Sequence, residues 1–136
     1  MLSNTVEKWK NFTPEFQSLL RIVSAFTFML AGTTKLFAFP VPAMPDGSTV
    51  ELFSQIGFGA VLETFGGALL LAGFWTRPVA FILSGEMAVA YFQFHQPNAL
   101  LPNLNGGMAA FLFCFIWLYF SAAGAGKWSI DFMLKK

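Results

Sequence analysis

Four ionisable residues interrupt the apolar stretches of this chain and could carry chemistry there: Arg21, Lys35, Glu63 and Glu86. A charged side chain inside a bilayer is costly unless it is paired or hydrated, so such residues normally face the interior of a helix bundle. A carboxylate at that depth can exchange a proton or bind a quinone carbonyl, and an arginine can bind a headgroup or quinone oxygen. We therefore expect these four side chains to converge as an intramembrane polar network.

The partners within this network are predicted from depth and direction. Helical side chains lean towards the N-terminus of their own helix, so Lys35 and Glu63 on antiparallel helices lean towards each other. Glu86 leans towards the level of Arg21. We expect the pairs Lys35–Glu63 and Arg21–Glu86, with Arg21–Glu63 as the alternative if the first helix is tilted. Buried ion pairs that only fix helix register are the competing structural interpretation.

Membrane-spanning helices are the elements that must position these residues. Of 136 residues, 56% are hydrophobic and 11% charged, and the mean hydropathy is +0.62, which excludes a large soluble catalytic domain. Proline and glycine turns separate four apolar stretches, and Asn103 or Asn105 is the expected cap of the last one. The sequence predicts an all-α, integral membrane, antiparallel four-helix bundle with spans near residues 16–39, 52–75, 78–95 and 106–123.

The distribution of basic residues predicts the orientation of this bundle. No Lys or Arg falls between Pro40 and Glu51 or between Gln96 and Asn105. By the positive-inside rule, the segment 1–15, the turn after the second span and the tail 124–136 face the cytoplasm in a multi-pass inner-membrane protein. The basic residues on that side are Lys8, Lys10, Arg77, Lys127, Lys135 and Lys136, and Trp9, Trp75 and Trp128 are expected at the same interface.

The numbers of cysteine, histidine and charged residues exclude several classes of site and partner. The single Cys114 cannot form an intrachain disulfide and is expected to pack as a small hydrophobic residue. One histidine, His95, cannot supply a His-rich metal site, so no metal and no intrinsic cofactor are expected. His95 is an outer-face candidate for a proton relay, with a solvated helix end as the alternative. Eight basic and seven acidic residues nearly cancel, which argues against a nucleic-acid partner.

Small residues predict where the helices cross. In the second span, Gly59, Gly66 and Gly67 lie on the face that carries Glu63, at spacings of three or four residues. Such a face lets a neighbouring backbone approach closely. Gly32 shares the face of Arg21 on the first span and is the expected crossing partner.

The order of these features resembles the DoxX family of small bacterial and archaeal inner-membrane proteins, over about Leu19 to Asp131. The motifs that carry the resemblance are Arg21, the A-G-x-x-K stretch ending at Lys35, E-x-x-G-G from Glu63, the T-R turn at Arg77 and the closing G-x-G-x-W-S-x-D ending at Asp131. The positions that match the family's polar residues are Arg21, Lys35, Glu63, Arg77, Trp128, Ser129 and Asp131. The chain departs from its relatives at Met108, where a glutamate is frequent.

The resemblance implies a four-helix membrane bundle and, for some relatives, a subunit of a membrane oxidoreductase such as archaeal thiosulfate:quinone oxidoreductase. For other relatives, the resemblance implies a subunit of a mycobacterial complex linked to superoxide detoxification and thiol homeostasis. The first hypothesis is therefore a membrane subunit that binds quinone and works with a redox-protein partner or a second copy in the lipid bilayer. A non-catalytic scaffold or assembly factor is one alternative, and a small transporter is another.

The closing motif forms a cytoplasmic-face group of Arg77, Trp128, Ser129 and Asp131. Asp131 is expected to cap the amides of residues 128–130 or to pair with Arg77. Trp128 is expected to anchor the tail at the interface. A terminal clamp is the favoured interpretation of this motif, ahead of chemistry.

Overall fold

The computed structural model describes residues 1–135; Lys136, counted above among the cytoplasmic charges, lies outside them. Every regular element among the described residues is helical, which confirms the all-α prediction. A π-helical turn, Leu62–Gly66, joins α3 to α4, and a second, Tyr91–His95, prolongs α5. The helices are α1 Leu2–Lys10, α2 Thr13–Phe37, α3 Gln55–Val61, α4 Gly67–Ala72, α5 Thr76–Ala90, α6 Met108–Ala123 and α7 Ile130–Leu134.

Local chemistry explains where the long helices begin and end. α2 begins with Thr13 and Pro14, since proline is tolerated where no amide partner exists. The continuous helix from Gln55 to Ala72, called the α3–α4 helix below, begins where the Ser54 hydroxyl accepts from the Gly57 N–H at 3.0 Å. The cap expected from Asn103 or Asn105 is wrong, because Gly107 occupies the N-cap of α6.

The helices pack in two close pairs, α2 along the α3–α4 helix and α5 along α6. A Cβ on Gly32 would lie 2.6 Å from the Thr64 amide nitrogen and 2.8 Å from the Ala60 carbonyl oxygen. No side chain fits there, which confirms Gly32 as a crossing point. The glycines of the second span do not share one neighbour, however. Gly67 lies against Met29 of α2, whereas Gly66 lies against a leucine of α5.

Aromatic side chains fill the space between α2, α5 and α6. Trp117 and Phe28 are fully buried, and their ring centroids lie 5.3 Å apart in an edge-on arrangement. Phe113 stacks on Trp117 from the same helix. The Ser84 hydroxyl of α5 donates to the Cys114 carbonyl of α6 at 2.7 Å. Cys114 is a half-buried free thiol on the margin of this core.

Within residues 1–135, two helices are long and apolar enough to cross a membrane, Thr13–Phe37 and Gln55–Ala72. Met108–Ala123 is apolar but shorter. α5 and its π-helical turn comprise 15 and 5 residues, which corresponds to a rise of about 30 Å. The helices Thr13–Phe37 and Gln55–Ala72, and α5 with its π-helical turn, are therefore long enough to cross a bilayer core. Met108–Ala123 is shorter than the others.

Candidate functional site

A buried ion pair joins α2 to the α3–α4 helix. The Lys35 Nζ donates to both carboxylate oxygens of Glu63, at 2.7 Å each. Lys35 lies in the last turn of α2, and Glu63 lies in the first π-helical turn. The Glu63 side chain is 7% exposed and that of Lys35 is 31% exposed, so the pair has one dry and one accessible side. This is the pairing that the depth argument predicts.

A second carboxylate, Glu86 of α5, faces this pair. A Cβ on Gly59 would lie 3.1 Å from Glu86 Oε1, which places the carboxylate over the glycine surface of the α3–α4 helix. Glu86 is close enough to Glu63 and Lys35 to interact electrostatically with both. Its Oε2 is buried and accepts no hydrogen bond from the described residues. Three charged groups therefore meet, and one carboxylate oxygen among them has no partner.

These three side chains lie in the wall of a cleft of about 530 Å³ between the α3–α4 helix and α5. That volume lies within the range of small-molecule sites. Gly85 leaves part of the wall flat, because a Cβ there would meet nothing within 4 Å. The remaining surface is apolar, supplied by Ile56, Phe58, Leu62, Ile82, Val89, Ala90 and Phe94. The cleft thus combines an apolar body with a few polar groups.

Polar residues surround one end of the cleft, where His95 lies. The Gln55 side-chain amide donates to the Gln93 carbonyl oxygen across this end. The His95 Nδ1 lies 3.3 Å from the Asn105 carbonyl oxygen, which leaves the other ring nitrogen free of that contact. His95, the predicted outer-face candidate, is therefore a lining residue of the same cleft. Within residues 1–135, no group of three His, Cys, Asp or Glu side chains could hold a metal ion.

The two π-helical turns were not predicted from the sequence, although Glu63 and His95 within them were predicted as site residues. Glu63 lies in the first turn, and Gln93 and His95 lie in the second. Single π-helical turns inside α-helices are rare and often occur at functional sites. No residue pattern used above distinguishes them from α-helix, because both are equally apolar. Gln55 and Phe58 were also not singled out.

Arg21 does not belong to this cluster, and both its predicted pairs, with Glu86 and with Glu63, are wrong. The guanidinium is fully buried but bonds only to backbone carbonyls. Nε donates to the Ala125 oxygen at 2.8 Å and Nη1 to two carbonyls of α4 at 2.5 and 2.7 Å. Nη2 donates to the Trp128 carbonyl.

The end of α4 explains this choice of partners. The last carbonyls of a helix lack intrahelical partners and carry partial negative charge, so they attract a cation. α4 ends at Gly73, whose φ of +69° turns the chain sharply. A Cβ on Gly73 would lie 3.0 Å from the Arg21 Cζ. The guanidinium is therefore packed against a backbone surface, at a distance from both carboxylates.

Asp131 caps α5, and both roles expected for it are wrong. Its two carboxylate oxygens accept from the backbone N–H groups of Trp75 and Thr76, at 2.9 Å each. These amides lie at the start of α5 and have no partner within the helix, so they need an acceptor from elsewhere. Asp131 supplies it and therefore does not cap the amides of residues 128–130. Arg77 bonds instead to the carbonyls of Ser121 and Ala122, at the C-terminal end of α6.

The rest of the closing motif fastens the tail to α2. The Trp128 N–H donates to the Ser18 hydroxyl at 3.1 Å. The Ser129 hydroxyl accepts from Phe132 N–H and so caps α7, and it donates to the Gly126 carbonyl at 2.8 Å. The Trp128 side chain itself is 54% exposed. We call residues 124–131 the tail clasp, because they tie together α2, α4 and α5.

Comparison with known proteins finds a matching family model and a similar protein of comparable length. A family model described as DoxX matches residues 16–96. An uncharacterized protein from Haemophilus influenzae is 40% identical over 131 residues, which cover 94% of this chain and 95% of that protein. No solved structure matches the chain. The family match contains Lys35, Glu63, Glu86 and His95, but it ends before the tail clasp.

Proposed function

The chain belongs to the DoxX family of membrane proteins, and we propose that it is a four-span inner-membrane subunit that binds quinone for a membrane oxidoreductase. One observation carries the proposal: the Lys35–Glu63 ion pair and the unpartnered Glu86 oxygen meet in the wall of an apolar cleft. In this proposal the redox centre belongs to a partner protein. The chain supplies the binding site and a group that can exchange a proton.

The exposed surface of the helices supports a membrane location. Phe16, Leu19, Val23 and Phe26 of α2 are each 49 to 56% exposed. α6 presents a similar outer face with Leu112 and other large apolar side chains. A soluble monomer rarely exposes contiguous apolar patches of this extent. In a bilayer, the same side chains would contact lipid.

The cytoplasmic side of the proposed topology is supported by α1 and by charge. α1 contains no buried residue and is amphipathic, as expected for a helix that lies in the membrane interface. Trp9 packs against Phe12 and Phe16, with ring centroids 6.2 and 5.8 Å away, at the junction with α2. Lys8 and Lys10 occupy the last turn of α1. Both termini of the chain would then lie in the cytoplasm.

The chemistry of the cleft suits a quinone in particular. A quinone has a small ring with two polar oxygens and an apolar tail, and the cleft likewise combines long apolar walls with a compact polar cluster. Lys35 and a protonated carboxyl group could donate to the ring oxygens, while Phe58 and Phe94 could contact the ring or tail. A proton donor beside the ring is needed wherever quinone reduction is coupled to proton uptake, and a proton acceptor is needed for the reverse oxidation.

A structural scaffold is the second candidate, and one observation favours it. Lys35 engages both Glu63 oxygens, and the Arg21 guanidinium donates to four carbonyls, so these charges could serve architecture alone. This candidate leaves Glu86 unexplained, because register needs no third charged group. It also predicts that replacing Lys35 and Glu63 together by apolar residues of similar size preserves function, whereas either single change harms folding.

The proposal is tested by filling the cleft at Gly85. The purified protein in nanodiscs is titrated with a short-chain ubiquinone or menaquinone analogue. Gly85→Leu places a side chain in the cleft without a backbone clash, so we expect affinity about tenfold weaker, equivalent to about 1.4 kcal/mol. Ala109→Leu places a leucine side chain on the exposed side of α6, outside the cleft, and is the control.

Saturable binding by the wild type and by Ala109→Leu, weakened in Gly85→Leu, is the expected result. Unchanged thermal unfolding of both variants shows that the loss is local. Absence of saturable binding in the wild type contradicts the proposal and leaves the scaffold as the better account.

A further inference from the structure

We infer that Glu86 is the proton-exchanging group of the cleft and that it makes the affinities for quinone and hydroquinone depend on pH in opposite directions. This inference rests on the proposed function and deepens it, because it names the residue that distinguishes the two redox forms of the ligand. It concerns binding and a proton equilibrium with solvent, without electron transfer.

Among the contacts of residues 1–135, Glu86 is the only member of the charged cluster that has a polar side-chain atom without a hydrogen bond. The Lys35 ammonium is committed to both oxygens of Glu63 at 2.7 Å. Glu86 Oε2 is buried beside them without a hydrogen bond. A buried polar atom without a partner costs free energy, and a ligand that supplies the partner recovers it. A polar group of a ligand should therefore be drawn to Glu86.

A carboxyl group can bind either redox form of the ligand, but in a different protonation state for each. A quinone oxygen is a carbonyl and only accepts hydrogen bonds, so its partner must be the protonated acid, which has an O–H donor. A hydroquinone oxygen carries a hydroxyl, and an ionised carboxylate accepts from it. Each redox form of the ligand therefore selects a different protonation state of the same Glu86 side chain.

Binding of either redox form is thermodynamically linked to the protonation of Glu86. If quinone binds the protonated form of Glu86, its affinity falls as the pH rises, since fewer molecules carry the proton. If hydroquinone binds the ionised form, its affinity rises over the same interval. The limiting slope for one proton is about tenfold per pH unit. The ratio of the two affinities therefore reports the protonation of Glu86 and cancels effects common to both ligands.

The other ionisable groups that face Glu86 are few. From α2 comes Lys35, and from the α3–α4 helix comes Glu63, each held by the other. His95, in the π-helical turn that prolongs α5, lines the same cleft. α6 packs on another side of α5, where Ser84 meets Cys114. His95 is thus the other ionisable side chain of the cleft whose contribution must be separated from that of Glu86.

The experiment measures dissociation constants of a short-chain ubiquinone analogue and of its reduced form, anaerobically, in nanodiscs between pH 5.5 and 8.5. For the wild type we expect opposite slopes and a change in the affinity ratio of about tenfold or more. Glu86→Gln keeps the size of the side chain but cannot ionise, so its ratio should be independent of pH. Glu7→Gln removes an exposed carboxylate of α1 outside the cleft and is the matched control, which should keep the wild-type slopes. In His95→Gln, slopes that persist would assign the pH dependence to Glu86, whereas slopes that vanish would assign it to His95 and overturn the inference.

A second measurement needs no variant and covers the case in which Glu86→Gln does not fold. In weakly buffered solution followed with an indicator dye, quinone binding to the wild type should take up protons and hydroquinone binding should release them. Flat affinities in the wild type, opposite slopes that persist in Glu86→Gln, or binding without proton exchange would each overturn the inference while leaving quinone binding intact. Failure of both ligands to bind the wild type at any pH would instead overturn the proposed function.

Discussion

Arg21 is a charged residue whose buried partners are all backbone carbonyls. Its planar fork of five N–H donors can serve several carbonyls at once, which a lysine ammonium on a single stem cannot do in the same way. The carbonyls belong to α4 and to the tail clasp, so one side chain joins two helices and the chain terminus. Its role is architectural, in contrast to that of the charged cluster in the cleft.

Replacing Arg21 by glutamine should destabilise the protein strongly. The shorter amide cannot reach both α4 and the tail clasp, so buried carbonyls lose their donors, at about 1–3 kcal/mol for each unsatisfied group. We expect the free energy of unfolding to fall by about 3 kcal/mol or more, measured by circular dichroism in detergent. Arg77→Gln is the control, because Arg77 is exposed and bonds to carbonyls that water can reach. Equal losses in the two variants would contradict this assignment.

The partner of Lys35 could be predicted from the sequence, whereas the partners of Arg21 could not. Lys35 and Glu63 lie on consecutive antiparallel helices, so rise per residue and side-chain direction were sufficient to pair them. The partners of Arg21 include carbonyls of residues 125 and 128, whose positions depend on how the chain turns after α6. Hydropathy and periodicity contain no information about that turn. A rule that seeks a carboxylate for every buried cation therefore failed here.

At the scale of elements, the two π-helical turns decide which residues reach the cleft. A π-helical turn is wider than an α-helical one, so residues beyond it lie on a different face from the one that a period of 3.6 predicts. Gly66 ends the first of these turns and Gly67 follows it, and the two glycines contact different helices although their spacing from Gly59 predicts one face. The apolar helical segments were predictable from hydropathy and from proline and glycine turns, whereas the short helices α1 and α7 were not predicted. The irregularities inside the apolar segments were not predictable either.

Two glycine-to-alanine substitutions should have different effects on stability, because Gly32 lies at a close helix crossing and Gly85 lies in the open wall of the cleft. Gly32→Ala would force a Cβ against the Thr64 and Ala60 backbones, so α2 must move away from the α3–α4 helix. We expect a loss of about 1–3 kcal/mol in unfolding free energy. Gly85→Ala meets no atom within 4 Å and should be neutral or stabilise by up to about 1 kcal/mol through helix propensity.

Both alanine variants add a single methyl group inside a long helix, so chemical denaturation of the pair in the same detergent is a matched comparison. If Gly32→Ala were as stable as the wild type, the close approach of α2 to the α3–α4 helix would be wrong. If Gly85→Ala were strongly destabilised, that part of the cleft wall would be packed and not open.

At the scale of the whole molecule, the charges and apolar surface divide the chain into zones. The predicted outer loops, with Pro40 to Glu51 in one and Gln96 to Asn105 in the other, carry no Lys or Arg. The opposite end holds α1 and the tail clasp, with Lys127 bonded to Glu15 at 2.7 Å. The cleft lies nearer the predicted outer loops, because Lys35 lies in the last turn of α2 and His95 ends the prolonged α5. Its location follows from how two helices meet, which composition alone does not determine.

This zoning predicts which positions a membrane-impermeant maleimide can reach in intact cells with a permeable outer envelope. In a Cys114→Ala background, single cysteines at Thr49 and Asn103 should be labelled, whereas those at Lys8 and Lys135 should react only after the inner membrane is opened. All four positions are exposed on the folded protein, so differences in labelling report the side of the membrane and not burial. The positive-inside rule requires this pattern, because Lys8 and Lys135 belong to the basic side. Labelling of Lys8→Cys in intact cells would reverse the orientation and place the polar end of the cleft, with Gln55 and His95, on the cytoplasmic side.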